Sequence, residues 1–138
     1  MKYFTIQELT ASPTARRKGI DNTPDEKAKA ALEKLVEHIL DPLRVAWGKP
    51  IVVTSGYRSP KLNRAVGGAA KSQHCKGEAA DIRTLSDRRW ENRQLFELIQ
   101  KLNLPYDQLI DEYDYDWVHV SFVEGRNRHQ ELHVKKKP

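Results

Sequence analysis

A chain of 138 residues with 38% apolar and 31% charged residues suits one domain, a modest core under a heavily charged surface. Its formal charge is +5, and no apolar run approaches the ~20 residues of a spanning helix, so no membrane insertion is expected. The one cysteine, Cys75, excludes an intramolecular disulfide and a Cys-rich structural zinc site.

In chain order, residues 1–24 read as an irregular N-terminal segment with a short helix near residues 6–9. Met1 to Glu8 contains no apolar core of a secretory signal, so cytoplasmic synthesis is expected. Thr23-Pro24-Asp25-Glu26 reads as a helix start: a capping hydroxyl, a first-turn proline and two acids at the positive end of the dipole. Ala28, Ala31, Leu32, Leu35, Val36, Ile39 and Leu43 then recur at three- and four-residue steps. They predict a long amphipathic helix to Trp47-Gly48, kinked at Pro42.

Ile51-Val52-Val53-Thr54-Ser55 reads as a buried strand, and Ser59-Pro60 as the start of a short helix stopped by Gly67-Gly68. A second strand is predicted over 78–82 and a second long helix over 87–102. Two further strands, 106–112 and 117–122, form a hairpin turning at 113–116. Residues 125–138 read as a polar, frayed tail. The fold class is α+β, a small, mostly antiparallel sheet with helices packed on one face. Six cations lie in Arg16-Arg17-Lys18 and Lys135-Lys136-Lys137. No aromatic residues interleave with them, so they read as solvated surface and no nucleic-acid partner is expected.

Three residues stand out chemically. His74 follows a Gly- and Ala-rich loop and precedes Gly77, a poor setting for a core histidine. Asp81 lies among small and apolar residues of a predicted strand, where a carboxylate is costly unless paired or bound to a cation. His119 sits mid-strand and faces away from Val118 and Val120. Two imidazoles and one carboxylate are a donor set that catalytic zinc takes when a fourth position stays open for water.

The pattern Ser72-x-His74-x-x-Gly77-x-Ala79-x-Asp81, with Trp117-Val118-His119-Val120-Ser121, resembles the zinc D-alanyl-D-alanine carboxypeptidases of peptidase family M15. That family includes D,D-dipeptidases of vancomycin resistance and phage endolysins, and shares its fold with the hedgehog signalling domain. The likeness extends to residues 4–8, Thr23-Pro24, residues 53–60 and Asp107-Gln108-Leu109-Ile110, features of its C-terminal-domain branch. It implies a single zinc peptidase domain over 1–138, of hedgehog or D,D-peptidase-like fold. It also implies one Zn²⁺ held by His74, Asp81 and His119, and hydrolysis of peptidoglycan stem peptides. A monomer is the default expectation. Release to the wall would then need a phage holin or another route. The alternative is a non-catalytic zinc-binding module of the same fold, docking on a wall or a partner.

A carboxylate should take the proton of the attacking water. Asp116 has the acid-x-x-His spacing of several family branches, whereas Glu112 ends the preceding strand. If Glu112 pairs with Trp117, Glu112 and His119 share a face, which favours Glu112 and keeps Asp116 as its rival. The resemblance gives Arg58 the oxyanion or a substrate carboxylate, a role suited to its fixed charge. Ser72 and Gln73 are expected to orient substrate or the loop.

Overall fold

The computed structural model describes residues 1–135. Strands β1 (Ile51–Ser55), β2 (Ala79–Thr84), β3 (Gln108–Glu112), β4 (Trp117–Ser121) and β5 (Gln130–Val134) form one sheet ordered β1-β2-β4-β3-β5. Neighbours are antiparallel except β3 and β5, which run parallel. The helices are α1 (Ile6–Thr10), α2 (Pro13–Lys18), α3 (Glu26–Leu35), α4 (Asp41–Trp47), α5 (Pro60–Ala65) and α6 (Arg89–Lys101). The architecture is the predicted α+β class. No helix among the described residues is long and apolar enough to cross a membrane.

Period-two alternation gives the sheet two unlike faces. Ala80, Ile82, Leu109, Val118 and Val120 join one apolar cluster with Leu32, Leu35, Ile39, Leu43, Leu95, Phe96 and Ile99 of the helices. Most of these side chains are fully buried, each contributing roughly 1.5–3 kcal/mol of transfer free energy. The opposite face carries the polar set, including Asp81, Arg83, Glu112 and His119.

Four local expectations need correction. Residues 1–24 are not irregular. Thr5 Oγ1 accepts from the Glu8 amide to cap α1, and Ser12 Oγ accepts from the Ala15 amide to cap α2, with Pro13 in its first turn. The cap of α3 is Asp25, which accepts from the Ala28 amide, rather than Thr23. Thr23 instead donates its amide and hydroxyl to Asp21.

Pro42 is met by a widened turn. Val36–Leu40 joins α3 to α4 as a π segment, in which the Asp41 amide donates to the Val36 carbonyl. Shifting the ladder by one residue just before a proline accommodates a position that has no N–H to give.

The expected frayed tail is ordered from residue 130 to 134 as β5. Beside its backbone ladder to β3 it is tied down by polar side chains, which hydrophobic patterning misses. Gln108 Nε2 donates to Gln130, the Tyr106 hydroxyl donates to Glu131, and His133 Nδ1 lies 3.0 Å from Asp111 Oδ2. Of the basic run Lys135-Lys136-Lys137, only Lys135 falls within the described residues.

Candidate metal centre and active site

Strand register brings two of the three predicted ligands together. Asp81 on β2 pairs directly with His119 on β4, so both side chains leave the same face. His119 Nδ1 lies 3.0 Å from Asp81 Oδ1. His74 comes from outside the sheet, on a single 3₁₀ turn, Gln73–Lys76, that places its Nε2 at 3.4 Å from the same oxygen. The rings of His74 and His119 meet edge to face, with centroids 5.1 Å apart.

Two glycines make room for the His74 arm. A Cβ on Gly56 would stand 2.2 Å from the Leu9 carbonyl oxygen, so only glycine lets β1 leave the sheet there. The Gly56 carbonyl accepts from His74 Nδ1 at 2.7 Å. A carbonyl can only accept, so Nδ1 carries a proton in that bond, the usual outer-shell arrangement for a ligating histidine. Gly77 ends the 3₁₀ turn at φ +72°, and a Cβ there would strike the Ala28 carbonyl at 2.3 Å. Ser72 caps the same turn by accepting from the His74 amide.

One donor atom from each of His74, Asp81 and His119 lies within 4.8 Å of the others. Donors about 2.0–2.1 Å from a tetrahedral zinc are separated by roughly 3.3 Å, close to the spacings to Asp81. Burial works against charge on Asp81, but His74 and His119 outweigh it and hold its carboxyl well below the usual carboxylate range. The two imidazoles and the carboxylate therefore suit a divalent cation in both chemistry and spacing.

Glu112 occupies the position that parity predicts. It pairs with Trp117, while Ile110 pairs with His119, and its Oε1 lies 3.9 Å from His119 Nδ1. Burial, then the nearby Asp81 charge, push its carboxyl above the usual value, and the two histidines oppose this. The indole N–H of Trp117 is buried without a full hydrogen bond among the described residues. Asp116 is engaged elsewhere, with Oδ1 2.9 Å from Arg89 Nη2 on α6. The turn between β3 and β4 passes through three consecutive left-handed residues, Tyr113, Asp114 and Tyr115. Their combined turn brings the Asp116 amide back to the Glu112 carbonyl.

Arg58 stands beside the His74 arm. Its amide donates to the His74 carbonyl at 3.1 Å, and its Nη2 reaches Ser72 Oγ at 3.4 Å. Its Nε is buried without a hydrogen-bond partner among the described residues. Gln73 faces Asp107, to which its Nε2 donates at 2.8 Å, while its Oε1 is buried without a hydrogen-bond partner among the described residues.

A cleft of about 470 Å³ opens beside Asp81, lined by Thr54, Ser55, Arg83, Asp87, Asp116 and Trp117. Sequence reading did not single out Thr54, Ser55, Arg83 or Asp87. Arg83 was reachable by parity, since it lies two residues beyond Asp81 on one strand. Thr54 and Ser55 also border the smaller neighbouring cleft that Arg58 lines.

A family model described as Peptidase M15 matches residues 2–121. A stretch of 44 residues is 50% identical to the zinc D-Ala-D-Ala carboxypeptidase of Streptomyces albus G, covering 31% of this chain. The stretch covers 17% of that protein, well under two thirds of its length. The family match spans the strands and the 3₁₀ turn that carry His74, Asp81 and His119, and by it this chain belongs to the peptidase M15 family.

Proposed function

We propose that the chain is a zinc-dependent peptidase that hydrolyses peptide bonds in the stem peptides of bacterial peptidoglycan. The observation that carries this reading is the convergence of His74, from the 3₁₀ arm, with Asp81, His119 and Glu112 of one sheet face, next to a cleft. Family membership and the named activity of the Streptomyces albus G relative support the class of reaction and substrate.

His74 through Nε2, Asp81 through its carboxylate and His119 through Nδ1 would hold the metal. Bound zinc supplies Lewis acidity, which acidifies a water and polarises the scissile carbonyl. Glu112, on the same face, would accept the proton of the attacking water and pass it to the departing amine. Its raised proton affinity suits the second task as well as the first. Arg58, whose Nε lacks a hydrogen-bond partner among the described residues, would steady negative charge on the tetrahedral centre or a substrate carboxylate. The pairing of Asp116 with Arg89 leaves it a lesser candidate for the base.

The test is mass spectrometry of muropeptides released from purified peptidoglycan, with and without a chelator. New amine and carboxyl termini at one stem-peptide bond, abolished by the chelator and restored by zinc, are expected. Stoichiometric zinc with no bond cut would overturn the enzyme in favour of a zinc-binding module.

A further inference from the structure

The family match ends at residue 121, yet the chain beyond it reaches back to the His74 arm. Arg128, in the loop before β5, closes on Asp107, just before β3. Its backbone amide and Nε donate to Asp107 Oδ1 at 3.1 and 2.9 Å, and its Nη2 donates to Oδ2 at 2.8 Å. Arg126 adds a cation at 3.7 Å from Oδ1. The Asp107 side chain is wholly enclosed, so its charge is sustained by these donors. The same Oδ2 accepts from Gln73 Nε2 at 2.8 Å, and Gln73 is the residue before His74.

We propose that Arg128 is a positioning residue for the metal site, acting through Asp107 and Gln73 on the His74 arm; this rests on the zinc reading above. The arm is one 3₁₀ turn of four residues, too short to hold itself. Within the turn the Cys75 amide donates to the Ser72 carbonyl and the Gly77 amide to the His74 carbonyl, and outside it the Arg58 amide donates to the His74 carbonyl, the Glu78 amide to the Gln73 carbonyl and the His74 amide to Ser72 Oγ. Side chains add the His74–Gly56 bond at the end of β1 and the Gln73–Asp107 bond just before β3.

A carboxylate accepts only, so it dictates which end of the Gln73 amide turns towards it. The anchor is strong while Asp107 stays ionised inside the protein, and the bidentate Arg128 keeps it so. A Gln73 Oε1 without a hydrogen-bond partner among the described residues is the other consequence of this forced orientation. Without Arg128 the buried Asp107 must rearrange or take up a proton, and Gln73 loses its fixed acceptor.

Two measurements test the relay on the full chain: zinc Kd by competition with a chromophoric chelator, and hydrogen exchange of the Arg58 amide in metal-free protein. Outer-shell losses around metal ligands typically cost about 10- to 100-fold in affinity. Arg128→Ala and Gln73→Ala should each weaken zinc within that range and speed Arg58 exchange, while Arg128→Lys recovers part of both. The double variant should be no worse than either single one, because both break the same chain of contacts. Wild-type affinity in Arg128→Ala, or losses that multiply in the double variant, would overturn the relay. A wild-type chain that takes up no zinc overturns the proposed function instead. The exchange arm then decides alone: equal acceleration in both single variants supports the relay, and unchanged exchange overturns it.

Discussion

Asp81 and Asp107 are both largely enclosed, and both carboxyls are held well below the usual carboxylate range, yet their surroundings differ in kind. Asp107 meets a permanent cation: hydrogen bonds from Arg128 lower its proton affinity against the cost of burial, with Gln73 adding to them. Asp81 meets two imidazoles, which carry charge only when protonated. A neutral histidine offers a lone pair instead of a charge, so the donors around Asp81 suit a bound cation, whereas Asp107 already has one in Arg128. Low proton affinity in a buried acid is therefore no mark of function; the partner's chemistry is.

The sharpest way to break this contrast is to neutralise each acid in turn. Asp81→Ala removes one of three donors and should abolish stoichiometric zinc uptake, measured by metal analysis after gel filtration, while leaving a cooperatively folded chain. Asp107→Asn should do the reverse, retaining zinc at reduced affinity but losing about 2 kcal/mol or more in denaturant unfolding. The sign of its pH dependence follows. A depressed folded pKa gives stability that is fully present above the unfolded value, about 3.9, and is lost as pH falls towards the folded one. The gap between wild type and Asp107→Asn should thus shrink as the pH drops below about 4. A gap that stays constant there would show that Asp107 contributes packing rather than charge.

Glu112 belongs with Asp81 in this comparison, because it too lies on the open face with no fixed cation beside it. Glu112→Gln should retain zinc and lower kcat by about 10²- to 10⁴-fold, the usual span for losing a general base. The acid limb of the wild-type kcat/KM profile should carry the titration of the Glu112 carboxyl. That limb should vanish from whatever activity remains in Glu112→Gln. A limb that persists unchanged assigns the titration to another group.

The open face was legible in the sequence, and the support behind it was not. Glu112 and His119 could be placed on one face because side chains alternate along a strand and a four-residue turn fixes the hairpin register, whereas Asp81 joins them through the β2–β4 register, which no local turn sets. The Glu112–Trp117 pairing is the one that parity requires. The His74 arm announced itself through its glycines. By contrast, the strap from Arg126 to Val134 has no apolar periodicity to read. It docks through Arg128 to Asp107, His133 to Asp111 and Glu131 to Tyr106, contacts between residues more than twenty positions apart. Nothing in local sequence pairs a particular arginine with a particular distant aspartate. The helices in residues 1–24 were nearer to hand, since Ser12-Pro13 carries the same cap-and-proline signature as Ser59-Pro60.

Asp116 gives the smallest expected effect and the finest discrimination. It lines the cleft beside Asp81, so access to that cleft alone would favour it as the base. What separates them is the partner: Glu112 Oε1 lies 3.9 Å from His119 Nδ1, whereas Asp116 Oδ1 lies 2.9 Å from the guanidinium of Arg89. That pair is largely solvated, with Arg89 62% exposed, so breaking it should cost at most about 1 kcal/mol of stability. The Asp116 carboxylate is thus already engaged with Arg89 on α6. Asp116→Asn should therefore keep zinc and change kcat/KM by less than about tenfold, far short of the loss expected of a base. Should Asp116→Asn instead fall further than Glu112→Gln, with zinc retained in both, the proton-transfer role passes to Asp116 and the Arg89 pair must open during turnover.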